Sequence, residues 1–475
     1  MLFLNCNNFA QVSAKYIKKE INEILHDDYF NSTDISIDVF DLTANKSLIK
    51  LNNKFLLHPA SNEKILTSAA ALLLSKENFK FTTNFYYTGD ISDSVIDGDV
   101  FVTGTGDPDF DSAELDSLIL KIKQNGINEI TGNLYGDVSF YDSLYWGNGW
   151  MWDDDPSSDV PYLTPLVINN SAVKIAVKPT LIGRKVDAKL IPQNNFLKII
   201  NNALTVDADT SKLKVSRKWI LRDNTITING TLSNSFEPDT FEVNIYKPEI
   251  YFLKLVRQSF AKHRIKLRGK IGVKTLPDSA KLLIQFERNA KDVIQNMNKE
   301  SDNLSAESLL RLLGFQYFGK PATAENGIIV IDSLITVIGF NPDDYRIVDG
   351  SGLSHYNLIT TELVSRLLRY LYNQKYDIFN LIYSSFPIAG VDGTLEERMT
   401  DGLAFNNVHA KTGTLSGISA LSGYLTAKNN DLIAFSIFIQ NFVGKGEKAK
   451  KIEDRICELL SGMTGIEREK TSGQK

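Results

Sequence analysis

The stretch Ser61-Asn-Glu-Lys64 places a hydroxyl and an amine three residues apart, at the head of an apolar, alanine-rich segment that runs to Leu74. Residues three apart on a helix share a face, so the Lys64 amine would lie beside the Ser61 hydroxyl. A serine becomes a nucleophile when a neighbouring base accepts its proton, and a lysine can be that base if burial or nearby positive charge lowers its pKa. The pair is therefore a candidate nucleophile and general base.

The spacing by itself is weakly diagnostic, because a serine before a helix is usually an N-cap. The same Ser-x-x-Lys pattern recurs at Ser171/Lys174, Ser211/Lys214 and Ser259/Lys262. The first copy differs from the others in the apolar helix that follows it and in two further motifs downstream.

The second motif is Ser301-Asp302-Asn303, which precedes a segment of helical periodicity. Taken alone it is an ordinary helix-capping sequence. Beside a serine and a lysine, however, a second hydroxyl could relay a proton to a leaving amine. The Asn303 amide could orient the lysine and a substrate carbonyl.

The third motif is Lys411-Thr412-Gly413, followed by Thr414, on a stretch that reads as a strand. A lysine on a strand is commonly a solvated edge residue. Here we expect the glycine to leave room for a ligand backbone beside the strand, as in β-strand addition. The lysine and the threonines would then supply a cation and hydroxyls for a ligand carboxylate.

In this order the three motifs resemble those of the serine penicillin-recognising enzymes. The long separation of Ser61 from Ser301 is similar to that in the D-alanyl-D-alanine carboxypeptidase/endopeptidase family, which comprises the low-molecular-mass class C penicillin-binding proteins of peptidase family S13. Three loop sequences resemble the family as well, at 104–108, 348–354 and 389–395. One departure is the histidine of Ser354-His-Tyr-Asn, where the family commonly carries arginine.

The resemblance implies a role for each motif residue. Ser61 would be the acylated nucleophile and Lys64 its general base, with Ser301 and Asn303 on the opposite wall of the site and Lys411 on the third side. Lys411 and the helix N-terminus would lower the pKa of Lys64, and a pairing of Lys64 with Ser301 would offer a return path for the proton.

The resemblance also implies a substrate-binding strand made of Thr412, Gly413 and Thr414, with the backbone N–H groups of Ser61 and Thr414 as the oxyanion hole. The implied reaction is hydrolysis of the D-Ala-D-Ala bond of peptidoglycan stem peptides, or of the D-Ala cross-link between them, through an acyl-enzyme. β-Lactams would acylate the same serine, and no metal or organic cofactor is required. A β-lactamase and a non-catalytic cell-wall-binding protein remain as alternatives.

Composition narrows the function classes further. A chain of 475 residues with a net charge of −5 is long enough for two or three domains, and its charge argues against a nucleic-acid partner. Two cysteines, Cys6 and Cys457, leave no room for a disulfide framework or a cysteine-based zinc site.

No window of the sequence reaches the roughly 18 apolar residues of a membrane span. The apolar start at 1–11 fits a trimmed export signal, so we expect a periplasmic protein; lipidation of Cys6 and a homodimer stay open.

The patterning predicts an α/β (α+β) fold: a β-lactamase-like domain with an antiparallel sheet flanked by helices, interrupted by largely β inserted domains. Alternating apolar runs predict strands through 79–245 with few helices. The predicted domains are a peptidase domain at 12–83 and 283–466, an inserted domain at 84–166 and 241–282, a nested β-rich domain at 167–240 and a tail at 467–475. The insert could bind glycan, restrict substrate length or mediate self-association.

Overall fold

A computed structural model describes residues 13–374 and 376–464. Within them ten α-helices, α1 to α10 in chain order, span Ala14–Ile24, Glu63–Leu74, Ser112–Gln124, Pro248–Lys262, Val293–Lys299, Asn303–Phe318, Ala324–Val337, Thr361–Gln374, Tyr376–Ser385 and Glu447–Ser461. In these residues no helix combines the length and the apolarity that a membrane crossing requires.

The same residues form 21 strands. In chain order, β1 to β21 span Asp34–Asp41, Lys46–Leu51, Lys80–Tyr87, Asp90–Ser92, Val95–Asp97, Val100–Gly104, Glu129–Ile130, Leu134–Asp137, Ala172–Lys178, Asp187–Ile191, Lys198–Asn201, Leu204–Val206, Lys212–Arg217, Thr225–Ser233, Asp239–Asn244, Lys266–Leu267, Ile271–Val273, Lys281–Asn289, His409–Leu415, Ile418–Thr426 and Leu432–Gln440.

The chain divides into two compact units. The first unit takes the residues up to Leu74, residues 294–301 and the residues from Ile331 onward; the second unit takes Ser75–Val293 and Asp302–Val330. The chain therefore leaves the first unit and returns to it twice. The finer boundaries expected from the sequence, including the nested domain at 167–240, stay a prediction.

The first unit is built on a five-stranded antiparallel sheet of order β19-β20-β21-β1-β2. One face packs on α1 and α10, where Ile17, Ile437 and Ile456 share a core. The other face meets α8, whose Ser365 hydroxyl donates to Asp38 at 2.7 Å. Because helices cover both faces, β20 and β21 are buried almost without interruption. The predicted antiparallel sheet flanked by helices is confirmed.

Helix α2 is buried from Glu63 to Leu72. Alanine and leucine dominate this segment, so it has high helix propensity and apolar side chains around most of its circumference, which is typical of a central helix. A short 3-10 turn, Ala60–Asn62, precedes it. This turn and the first turn of α2 carry the first motif.

The second unit is rich in strands, as predicted. Its five-stranded sheet has the order β17-β8-β6-β3-β18, and three smaller sheets accompany it. Our expectation of few helices before residue 245 missed α3, a helix of 13 residues. Its N-terminus is a capping box in which Asp111 and Glu114 satisfy each other's backbone N–H groups.

The long insert begins and ends on neighbouring strands. Strand β3 pairs with β18 in antiparallel register, with Lys80 opposite Asn289. The Ala290 N–H donates to the Phe79 carbonyl at 3.0 Å and extends this pairing by one residue on each side. A segment of about two hundred residues is thus closed by one strand pair.

Candidate active site

Ser61 and Lys64 meet as their spacing predicts. The Lys64 Nζ donates to the Ser61 Oγ at 3.1 Å. Lys64 is fully buried and Ser61 is partly exposed, so the hydroxyl is accessible while the amine is sheltered from water. The residue before the serine, Ala60, has a left-handed backbone with a φ of 46°. A non-glycine residue in this conformation stores about 1–2 kcal/mol of strain, which is common at functional turns.

A backbone carbonyl provides Lys64 with a second acceptor. The Ser351 carbonyl accepts a hydrogen bond from Lys64 Nζ at 2.7 Å. It belongs to a turn organised by the buried Asp349 carboxylate, which accepts from the Gly352 N–H at 2.9 Å and the Ser354 N–H at 2.7 Å. The Asn357 amide also donates to Asp349 at 2.7 Å. A loop that the sequence showed only as family-like therefore orients the proposed base.

The second lysine, Lys411, bonds to the serine of the second motif. Its Nζ donates to the Ser301 Oγ at 2.8 Å and to the Thr412 carbonyl at 3.0 Å. Complete burial, followed by the nearby charge of Lys64, lowers the pKa of Lys411 well below its usual value. Proximity of the two lysines thus disfavours a state in which both amines are protonated.

The second motif is divided between the two units. Ser301 ends the short segment 294–301 of the first unit and has a left-handed backbone with a φ of 61°. Asn303 begins α6 in the second unit, where its amide donates to the Asp159 carbonyl at 2.7 Å. The Ser301 hydroxyl accepts a hydrogen bond from Lys411. The expected pairing of Lys64 with Ser301 stays a prediction.

The third motif lies on β19, which forms one edge of the sheet. The Ala410 N–H points away from β20, because it donates to the Pro387 carbonyl at 3.0 Å. Backbone direction alternates along a strand, so the N–H groups of Thr412 and Thr414 also point away from β20. These two groups face the side from which an extended ligand would pair with the strand.

Gly413 faces the turn that carries Ser61. A Cβ at this position would lie 2.8 Å from the Pro59 carbonyl oxygen and 3.0 Å from the Asn62 amide nitrogen. The Asn62 amide in turn donates to the Lys411 carbonyl at 3.2 Å. We expected the glycine to make room for a ligand, but in the structure it allows β19 to approach the turn bearing Ser61.

Thr394 is a site residue that the sequence did not single out. Its hydroxyl lies 2.6 Å from that of Thr412. Its loop is tied to the segment that ends at Ser301, because Lys299 Nζ donates to Asp392 at 2.6 Å. The family-like sequence 389–395 was the available signal, but a threonine in a turn has no diagnostic chemistry by itself.

No three histidine, cysteine, aspartate or glutamate side chains gather as metal ligands in residues 13–374 and 376–464.

Comparison with known proteins identifies the family. The model of the D-Ala-D-Ala carboxypeptidase 3 (S13) family matches residues 17–463. The D-alanyl-D-alanine carboxypeptidase DacB of Haemophilus influenzae is 27% identical over 405 residues, covering 85% of this chain and 84% of that protein. The D-alanyl-D-alanine carboxypeptidase of Actinomadura sp. is 26% identical over 464 residues, covering 94% of this chain and 85% of that protein.

The fold agrees with this match. The crystal structure of penicillin binding protein 4 (dacB) from Haemophilus influenzae superimposes with a TM-score of 0.81 at 26% identity, covering 93% of this chain and 99% of that one. That protein has also been solved in complex with a β-lactam. The resemblance seen in the three motifs extends over nearly the whole chain, which belongs to the D-Ala-D-Ala carboxypeptidase 3 (S13) family.

Proposed function

We propose that this chain hydrolyses the D-Ala-D-Ala bond of peptidoglycan stem peptides with Ser61 as the acylated nucleophile. The observation that carries the proposal is the hydrogen bond of 3.1 Å between Lys64 Nζ and Ser61 Oγ, close to a second buried lysine. Family membership supports the activity, and this geometry supports the roles proposed for Ser61 and Lys64. The cross-link between two stem peptides contains a D-Ala peptide bond of the same kind and is a second substrate of the proposed site.

Acylation begins when Ser61 Oγ attacks the carbonyl carbon of the penultimate D-alanine. The neutral Lys64 amine accepts the hydroxyl proton, and the carbonyl oxygen becomes an oxyanion held by the N–H groups of Ser61 and Thr414. Each such donor contributes about 3–4 kcal/mol in other acyl-transfer sites. The C–N bond then breaks, the leaving amine takes a proton and D-alanine departs. Water later attacks the ester and restores the serine.

The return of the proton to the leaving amine is assigned to Ser301 and Lys411. In the proposed relay the Ser301 hydroxyl donates its proton to the leaving amine and takes up the proton that Lys64 accepted from Ser61. Lys411 holds this hydroxyl in place with its hydrogen bond of 2.8 Å. Asn303 remains a proposed member of the site through its motif. The reaction as written needs no metal and no organic cofactor.

Substrate binding is assigned to the edge strand β19. An extended peptide can pair with the outward N–H groups of Thr412 and Thr414, and its terminal carboxylate can accept from the two threonine hydroxyls. Gly413 contributes indirectly, because its missing side chain lets the strand approach Ser61. A β-lactam would bind in the same place and acylate Ser61. Its leaving group stays tethered after the ring opens and obstructs the attack of water.

Intact-mass spectrometry after incubation with penicillin tests the nucleophile. We expect the wild type to gain the mass of one penicillin and Ser61→Ala to gain none. Ser259→Ala is the matched control, since it removes the serine of another Ser-x-x-Lys sequence and should acylate like the wild type. Acylation of Ser61→Ala would refute the assignment, and rapid release of hydrolysed drug would favour a β-lactamase.

Location and assembly are proposed on the chemistry of the substrate. Peptidoglycan lies outside the cytoplasmic membrane, so we propose export to the periplasm; the sequence at 1–11 that suggests a signal, including Cys6, lies outside the described residues. Cys457 is buried and free. A homodimer is compatible with this function and is tested by the mass of the protein in solution.

A further inference from the structure

All four tryptophans of the chain lie in one region of the second unit. The rings of Trp146 and Trp150 are 5.6 Å apart, and those of Trp152 and Trp219 are 5.0 Å apart. Tyr162 lies 5.1 Å from the Trp146 ring. Tryptophan is a rare residue, and a cluster of large aromatic rings is typical of the lining of a ligand site.

All of these rings except that of Trp150 line a cleft of about 290 Å³. We call it the aromatic cleft; its principal lining residues are Tyr145, Trp146, Trp152, Tyr162, Trp219 and Arg222. A volume near 300 Å³ is at the lower end of the range of small-molecule sites, which suits a ligand segment of one or two rings.

The floor of the cleft is fixed by buried polar groups. The Arg217 guanidinium is fully buried and forms an ion pair with Asp155, while the Tyr162 hydroxyl donates to the same carboxylate at 2.9 Å. Burial, and then this hydrogen bond, raise the pKa of Tyr162 to about 12, so the phenol stays neutral. Arg217 also donates to the Asn244 amide oxygen at 2.9 Å. A ring held in this way is a preorganised surface.

The rim of the cleft exposes apolar faces to solvent. Trp152 is 71% exposed and Ile220 is 73% exposed. A contiguous patch of exposed apolar side chains is a common feature of binding sites. At the same rim Arg222 uses one N–H to donate to the Tyr145 hydroxyl at 3.1 Å. A guanidinium has five N–H groups, so further donors are available to a ligand.

This combination fits a pyranose ring. A pyranose has an apolar C–H face that stacks on an aromatic ring and hydroxyls at its edge that accept from an arginine. The Asp155 carboxylate is already paired with Arg217, so the cleft does not require a charged ligand. A peptide that binds by strand addition pairs its backbone with a free strand edge, whereas the walls here are ring faces.

We propose that the aromatic cleft binds the glycan strand of peptidoglycan, a β-1,4-linked polymer of N-acetylated hexosamines. The proposal rests on the proposed function, because the glycan is the polymer to which the stem peptides are attached. Glycan binding would concentrate the enzyme on its polymeric substrate without touching the reacting bond.

Intrinsic fluorescence tests the proposal on the full chain, since every tryptophan reports from this region. The probe is a β-1,4-linked N-acetylglucosamine oligosaccharide that carries no peptide. We expect a saturable change in emission for the wild type and at least a tenfold weaker affinity for Trp152→Ala. Titration calorimetry measures Trp219→Ala without relying on its altered signal, with the same expected loss. Phe318→Ala, which removes an exposed ring elsewhere in the second unit, is the control and should bind like the wild type.

The outcome is separable from that of the proposed function. Trp219→Ala should hydrolyse a soluble D-Ala-D-Ala peptide at the wild-type rate, while Ser61→Ala should bind the oligosaccharide but hydrolyse nothing. No saturable binding by the wild type, or binding by both tryptophan variants with the affinity of the wild type, would overturn the glycan site. Self-association that is lost in Trp152→Ala, without oligosaccharide binding, would instead identify the cleft as a contact between two copies.

Discussion

Lys411 is held in the folded protein in surroundings that disfavour its charge. Its side chain is completely buried, and the nearby Lys64 charge adds to the effect, so its pKa lies well below the usual 10.5. Hydrogen bonds to Ser301 and Thr412 fix the nitrogen in place. An ionisable group buried in this way costs stability, and such groups are common at functional sites.

The stability of the protein should therefore depend on pH through Lys411. Between the folded and the unfolded pKa values the unfolded chain binds more protons, so the free energy of unfolding rises with pH in that interval. Lys411→Met removes this dependence. We expect the Tm of Lys411→Met minus the Tm of the wild type to decrease between about pH 7 and about pH 10, because only the wild type gains stability from this titration.

Differential scanning fluorimetry at a series of pH values measures this difference. Lys46→Met, at an exposed position of the first unit, is the control for the removal of a surface charge. A difference in Tm between Lys411→Met and the wild type that stays constant over the series would contradict the proposed titration of Lys411.

The motif side chains could be predicted from residue types and spacing, but their partners could not. Ser61 and Lys64 meet because a helix brings residues three apart together. The Ser351 carbonyl has no such signature, because every residue has a carbonyl and only the turn around Asp349 directs this one at Lys64. The contact of Thr394 with Thr412 likewise depends on tertiary packing.

At the scale of the elements, the close packing of β19 against the turn at 59–62 fixes the position of Lys411 and Thr414 relative to Ser61. The strand and the turn come from opposite ends of the chain, and they touch at Gly413. A Cβ at position 413 would lie 2.8 Å from the Pro59 carbonyl oxygen, a distance that real Cβ atoms essentially never show. One of the two groups would therefore have to shift by a few tenths of an ångström. The neighbour is backbone, so the strand itself would have to move.

Gly413→Ala should therefore slow acylation by penicillin at least tenfold. The shift would displace Lys411 and the Thr414 N–H relative to Ser61, and misplacement of reacting groups by about 1 Å can cost about a hundredfold in rate. Stopped-flow or mass-spectrometric acylation rates measure the effect. Gly272→Ala on β17 is the matched control, because its Cβ would meet only ordinary contacts with Tyr135. Acylation of Gly413→Ala at the wild-type rate would show that the contact is not limiting.

The spacing of apolar residues predicted most of the helices and strands, and the elements that it did not predict have physical explanations. Helix α3 buries Leu115, Leu118, Ile119 and Ile122, a clear helical pattern, and begins with the capping pair Asp111 and Glu114. We missed it because the surrounding Gly, Asp and Asn turns suggested a continuous series of short strands. Helix α6 was predicted, but its periodicity does not say that it packs in the second unit rather than in the first.

At the scale of the whole molecule, the insert has the features of an independent folding unit. One of its core clusters is built from buried residues between Phe85 and Ile265, with further packing from Phe286. Its two ends leave on paired strands, β3 and β18. The motif spacing predicted an insertion between Ser61 and Ser301, but the subdivision of the insert depends on long-range strand pairings that a single sequence does not reveal.

A fragment of residues 75–330, which contains all of the second unit, should therefore fold by itself. We expect a cooperative thermal transition and the tryptophan emission of the full chain, because all four tryptophans lie within it. The same fragment without residues 281–289 lacks β18 and would expose the edge of β3, so we expect it to melt at a lower temperature or to aggregate. A fragment 75–330 without a cooperative transition would contradict the prediction.

The pairing of Lys80 with Asn289 also bears on how such proteins diversify. Neighbouring strands are about 5 Å apart, so the gap that the insert spans at its base is no wider than that of a short hairpin loop. Genetic exchange at these two points could replace the module by another with adjacent ends while the Ser61 and Lys411 chemistry stays unchanged. Relatives would then differ in the ligand that this module binds before they differ in the reaction that they catalyse.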